Sequence, residues 1–200
     1  MSGYGPSPLP ALMGCGVLRR EIELLSRKNG WDLRPRYLPS FPHCGSDLVE
    51  LSLESELERQ RGDPAFVLYG LCHPRMDSLV ASFGLRRVRG ENCMEMLLGS
   101  EKYIEELAGG AFFLLEEWAR DWKPLAGMVM GHDKASMVEI FRLDRTHILG
   151  IRTPASGDFS AEAVFAAEDA GLPLRWIDVG LDVLEARLLE AMDLRPGEHP

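Results

Sequence analysis

Apolar positions in this chain follow two rhythms: short unbroken runs, and longer stretches with an apolar stripe every three or four residues. Leu9 to Met13 is the first run, closed by Gly14-Cys15-Gly16. From Val17 to Lys28 a helical stripe of Val17, Leu18, Ile22, Leu24 and Leu25 leaves Arg19, Arg20, Glu21 and Glu23 outside, and Asn29-Gly30 stops the helix. Trp31 to Leu38 alternates as a strand and ends at Pro39. Ser46 or Asp47 caps a helix to about Arg61, with Leu48, Leu51, Leu53 and Leu57 as its apolar positions. After Gly62-Asp63-Pro64 comes Ala65-Phe66-Val67-Leu68-Tyr69-Gly70, the pattern of a strand covered on both faces. Met76 to Phe83 reads as a short helix, Leu85 to Val88 as a strand, and Met94 to Leu98 as a helix that Gly99-Ser100 interrupts.

The second half repeats the alternation less cleanly. Ser100 to Leu107 is helical, Ala111 to Leu115 a strand, Glu116 to Trp122 a helix, and Met137 to Leu143 a short helix. His147 to Ile151 is a strand, Ser160 to Ala170 an amphipathic helix ended by Gly171, Leu174 to Val179 a strand, and Leu181 to Met192 a helix. Strand and helix in strict succession, joined by right-handed crossovers, predict an α/β fold: one Rossmann-like domain with a largely parallel sheet and helices on both faces. Residues 1–8, rich in Gly, Pro and Ser, are a loose lead; 9–195 form the domain; 196–200 are a tail.

Two hundred residues suffice for a core without disulfide staples. A net charge of −9 argues against nucleic acid, which needs clustered cations. Arg86-Arg87-Val88-Arg89 is too short a basic run for that and is expected to flank a strand. No apolar stretch is long enough to span a bilayer, and the N-terminus lacks a secretory pattern. The expected setting is therefore the cytoplasm, where thiols stay reduced.

That setting changes how the four cysteines are read. Cys15, Cys44, Cys72 and Cys93 are 29, 28 and 21 residues apart, each interval close to one strand-plus-helix unit. Each follows a predicted strand, at the carboxyl end where open parallel sheets bind ligands. Thiolates with imidazole suit zinc, and also iron–sulfur clusters or copper(I). Any single cysteine is as well explained as a small buried hydrophobe; the shared strand-end position is what favours a site. Cys93, ahead of a helix, could alternatively be an activated thiol with His73 or His43 as base and Glu91 opposing. His132 reads as a loop residue and His147 as structural. Trp118 and Trp122, four apart, read as packing, while Tyr69 and Tyr103 are candidates to line the cleft.

No Cys-x-x-Cys, dinucleotide-binding Gly-x-Gly-x-x-Gly, Walker loop, Gly-x-Ser-x-Gly elbow or Asp-x-His-x-x-Gly corrinoid motif occurs.

Tyr69-Gly70-Leu71-Cys72, then Asn92-Cys93, then Leu97-Leu98-Gly99-Ser100 with Tyr103, resemble an uncharacterised family of anaerobic bacteria and methanogenic archaea, domain of unknown function DUF1638. Cys15-Gly16 matches that family's N-terminal Cys-Gly, His43 its histidine after the second strand, and Gly110 to Trp118 a later segment. The family's His-Asp before the third matched cysteine is Glu91-Asn92 here. The resemblance singles out Cys15, His43, Cys72 and Cys93 as metal ligands, with Cys44, His73 and Glu91 in reserve, and Tyr69, Gly70 and Gly16 beside them as cofactor-binding positions. It also implies a place in corrinoid-linked methyl or one-carbon metabolism, with a corrinoid protein or methyltransferase as partner. The expected metal is zinc, ahead of an iron–sulfur cluster or the cobalt of a corrinoid. The competing expectations are a non-enzymatic accessory protein that binds or delivers a cofactor, and a metal-free cysteine enzyme.

Overall fold

A computed structural model describes residues 11–40, 46–61, 65–130 and 134–193. The expected N-terminal lead and C-terminal tail lie outside them. The class is the expected one, α/β with parallel strands and flanking helices, but the strands are divided between two sheets of four and three. Correspondingly, the chain forms two compact units: residues 1–93 with 184–200, and residues 94–183.

The four-stranded sheet of the first unit has the order β2-β1-β3-β4 and is parallel throughout. Its strands are β1 (Ala11–Cys15), β2 (Arg34–Leu38), β3 (Ala65–Leu68) and β4 (Arg86–Arg87). β1 is buried along its whole length, and Met13 faces Val67 of β3 across the register. After a 3-10 turn at Gly16–Leu18 comes α1 (Arg19–Asn29), closed by Gly30 at φ 65°. This is the left-handed cap that glycine adopts without a Cβ penalty. Glu21 differs from expectation: it is buried with Ile22 and Leu25, because it lies three residues after Leu18 and four before Leu25, on their side of the helix. α2 (Ser46–Arg59) buries Val49, Leu53, Glu56 and Leu57, a run of helical spacing, and leaves Leu51 exposed where an inward position was expected. α3 (Met76–Ser82) buries Met76 and Val80 and leads to β4.

Two features stop this sheet at β4. The strand is only two residues long, and both are arginines, the short charged edge that resists further pairing. Arg86 is paired with Asp193, Arg87 with Asp77 and Arg89 with Glu190, so the basic run flanks a strand as expected.

α4 (Cys93–Leu98) carries the chain into the second unit, where α5 (Ser100–Ala108) precedes a parallel sheet of sequential order β5-β6-β7. The strands are β5 (Ala111–Leu114), β6 (His147–Arg152) and β7 (Leu174–Asp178). Between β5 and β6 lie α6 (Glu116–Arg120), α7 (Trp122–Met130) and α8 (Lys134–Asp144). Trp118 and Trp122 therefore fall on different helices. Trp122 packs edge-on to Phe112 and stacks on Phe141 with centroids 5.8 Å apart, donating its Nε1–H to Asp169. Tyr103 stacks on Phe113 at 5.4 Å. α9 (Ser160–Ala170) turns Ala163, Ala166, Ala167 and Ala170 inward, and α10 (Asp182–Ala191) brings the chain back to the first unit.

The carboxyl edge of this second sheet carries a network of ion pairs and hydrogen bonds. Buried Glu116, just past β5, accepts the Gly157 N–H at 2.7 Å and Arg120 Nε–H at 2.8 Å, and Arg120 reaches Glu162 at 2.6 Å. His147 lies at the opposite, amino end of β6. It is buried, as a structural histidine should be, with Nδ1 2.9 Å from Thr146 Oγ1. Among the described residues, no helix is long and apolar enough to cross a membrane.

Candidate functional site

In the first unit the chain runs from β1 outward to β2 and then returns past β1 to β3. The direction reverses between β1 and β3, and in open parallel sheets ligands bind at the carboxyl end of such a switch point. Cys15 is the last residue of β1, and Tyr69-Gly70-Leu71-Cys72 follows β3 directly. Cys93 begins α4, after the loop from β4. Cys15 is 3% exposed, while Cys72 and Cys93 are half-buried, and all three are thiols rather than disulfides. His43 and Cys44 lie outside the described residues.

Tyr69, itself 3% exposed, relates the three thiols to one another. Burial pushes its phenol far above the ordinary range, and negative charge on Cys15, Cys72 and Cys93, in that order, pushes it the same way. One side chain thus senses three cysteines that share no local motif. Among the described residues, however, no three His, Cys, Asp or Glu stand close enough to hold one metal ion. The three thiols stand at the same end of the sheet without sharing a metal position. Burial pushes the Cys72 thiol up, while the Gly70 N–H, the Arg87 charge and its own N–H pull it down.

The loops that carry Cys72 and Cys93 are joined backbone to backbone. Leu71 N–H donates to Glu91 O at 2.7 Å. A Cβ on Gly70 would come within 2.5 Å of Asn92 Cα and Glu91 O, so only glycine permits this approach. Arg87 Nη1–H donates to Gly90 O at 2.6 Å, Tyr69 O at 3.1 Å and Val88 O at 3.2 Å, and its Nε–H donates to Asp77 at 2.7 Å. Gly16 has a packing explanation of its own, since a Cβ there would stand 3.2 Å from the Leu38 carbonyl at the end of β2.

His73 is engaged as part of the scaffold. Its Nδ1 accepts the Arg75 N–H at 3.1 Å, which puts the ring proton on Nε2, and Nε2–H donates to Glu50 of α2 at 3.1 Å. Glu50 is paired with Arg75 as well. Both ring nitrogens are used, and neither is left for a neighbouring thiol. Glu91 is exposed and contributes its backbone carbonyl to the loop junction. His132 and His199 lie outside the described residues.

Sequence reasoning missed Arg87 and Glu50. Arg87 stood out only as part of a basic run, and its role depends on β4 pairing with β3, which brings it under the Tyr69 carbonyl. Glu50 carried no local signal.

A family model described as a protein of unknown function (DUF1638) matches residues 37–188. No curated protein and no solved structure matches the chain. The match spans well over half of the sequence, and the chain belongs to this family.

Proposed function

We propose that this DUF1638 protein binds a thiophilic metal ion at the carboxyl end of its four-stranded sheet, with Cys15, Cys72, Cys93 and His43 as ligands. The observation that carries the reading is the placement of Cys15 at the end of β1, of Cys72 in the loop after β3 and of Cys93 in the loop after β4, at the switch-point end of one parallel sheet. Thiolates with an imidazole select zinc first, with an iron–sulfur cluster or the cobalt of a corrinoid as the other soft choices. Binding requires the three thiols to come closer to one another than they stand here. When bound, the metal supplies either a closed structural centre or a Lewis acid that holds a substrate thiolate. Tyr69, Gly70 and Gly16 form the surroundings: a buried phenol and two positions where backbone passes close by.

The role we propose is in corrinoid-linked methyl or one-carbon metabolism, in a reducing cytoplasm, with a corrinoid protein or methyltransferase as partner. An accessory protein that delivers a cofactor would use the same end of the sheet. The metal-free cysteine enzyme is the weaker reading, because His73, its nearest base in sequence, spends both nitrogens on Glu50 and Arg75.

Metal analysis of anaerobically purified protein tests the proposal, with Cys72→Ser and Cys93→Ser alongside. Stoichiometric zinc in the parent chain and its loss in both variants is the expected result. A parent chain without stoichiometric metal ends the reading, and metal without turnover of methyl donors turns it toward the accessory role.

A further inference from the structure

The two loops that carry Cys72 and Cys93 meet at the Leu71–Glu91 backbone hydrogen bond and at the close approach of Gly70 to Asn92. Neither thiol is in a disulfide, and Gly70 contributes no side chain to the junction. One guanidinium spans it. Arg87 is 15% exposed along its side chain, and its Nη1 group reaches the carbonyl of Tyr69, three residues before Cys72, and the carbonyl of Gly90, three residues before Cys93. Asp77, at the start of α3, fixes the other side of the guanidinium through Nε. Carbonyl oxygens from both loops therefore share a single charged donor, an arrangement stronger than a neutral hydrogen bond and fixed in direction by the planar group.

We propose that Arg87 is the positioning residue of the thiol site, holding the Cys72 and Cys93 loops against each other so that both thiols are presented at one place. It acts through the backbone and touches neither substrate nor metal. Lysine is not a substitute: an ammonium is a compact point charge, and it cannot keep the Asp77 contact and both carbonyls in the geometry of a rigid fork. Cys15 sits at the end of β1, on neither of the two clamped loops, and is expected to change less than Cys72 and Cys93 when the clamp opens.

The inference rests on the metal-site reading only for its consequence in binding, and the test separates the two. Iodoacetamide labelling of the reduced, metal-free full chain at one fixed pH, resolved by peptide mass spectrometry, reads each thiol by itself. In Arg87→Gln, Cys72 and Cys93 are expected to react together, about tenfold faster or more, as the junction opens. This outweighs the slowing that loss of the Arg87 charge alone would bring at Cys72, and Cys15 stays within about twofold of its parent rate. Arg87→Lys should resemble the glutamine variant. Asp77→Asn, a change at an exposed anchor, should move the same two thiols by about two- to threefold and keeps the test open if the Arg87 variants fold poorly. Equal acceleration of all three thiols, unchanged rates at Cys72 and Cys93, or full restoration by lysine would each overturn the proposal. Zinc titration of the same proteins adds the link to function: affinity should fall about tenfold in Arg87→Gln. A parent chain that takes up no zinc defeats the metal reading, while the labelling pattern still decides the role of Arg87.

Discussion

The two units are built by the same rule, parallel strands joined by helices, yet they differ in strand order and in what lies at the carboxyl edge of each sheet. In the second unit the strands are laid down in order, β5-β6-β7, and the carboxyl edge carries the network of Glu116, Arg120 and the Gly157 N–H. In the first unit the order reverses at β1, and Cys15, Cys72 and Cys93 all follow strands at that carboxyl end. Strand order, more than composition or element length, decides which sheet can hold a ligand. The same contrast governs the close-packed glycines. Gly70 admits backbone from another loop, whereas Gly150 of β6 admits the ring of Trp176 from β7, with a Cβ 2.6 Å from its nearest atoms.

The strongest way to break this comparison is to fill those two glycines. Gly70→Ala is expected to cost about 3 kcal/mol, because neither Asn92 Cα nor Glu91 O can yield without moving the Cys93 loop. Gly150→Ala should cost about 1–2 kcal/mol, because an indole ring can tilt. Hydrogen exchange resolved by peptide should place the first loss in β1, β3 and β4 and the second in β5 to β7. Loss of protection in all seven strands from either change would mean that the units do not respond separately.

An effect smaller than that at Gly70 sharpens the picture of the first unit. Glu50→Ala leaves the buried Nε2–H of His73 without its acceptor and should lower stability by about 2 kcal/mol in urea titration. An unchanged midpoint would mean that His73 does not depend on α2 for its place.

The smallest expected effect belongs to the second unit and depends on pH. Burial lowers the pKa of His147 below its ordinary 6.5, Arg175 adds to this, and Glu106 opposes it. The folded state then binds fewer protons than the unfolded one, so this contribution is complete above about pH 6.5 and is lost as pH falls toward the folded pKa. Thermal unfolding between pH 7.5 and 5.5 should show a shallower acid decline in His147→Leu than in the parent chain. Equal slopes would remove His147 from the account.

The succession of elements was legible because apolar runs such as Ala65 to Leu68 and stripes such as Ile22 and Leu25 depend on local spacing alone. α7 was not: Pro124 and Gly127 mask it, although proline is tolerated in a first helical turn. Nor could spacing show that the strands fall into two sheets, since the break depends on β4 being two arginines at an edge. For the site, the strand-end placement of Cys15, Cys72 and Cys93 was readable from spacing. What holds it was not, because Arg87 and Glu50 act on partners that only tertiary pairing brings near.

The first unit draws on both sides of the second in sequence, residues 1–93 and 184–200, and this has a consequence in time. Synthesis delivers Cys15, Cys72 and Cys93 first and then spends on the order of ten seconds on the second unit. Only afterwards does the segment emerge that supplies Glu185 to Lys28 and Asn29, Asp193 to Arg86, and Arg187 to the Arg89 carbonyl. The thiol-bearing unit is begun before the other unit and completed after it.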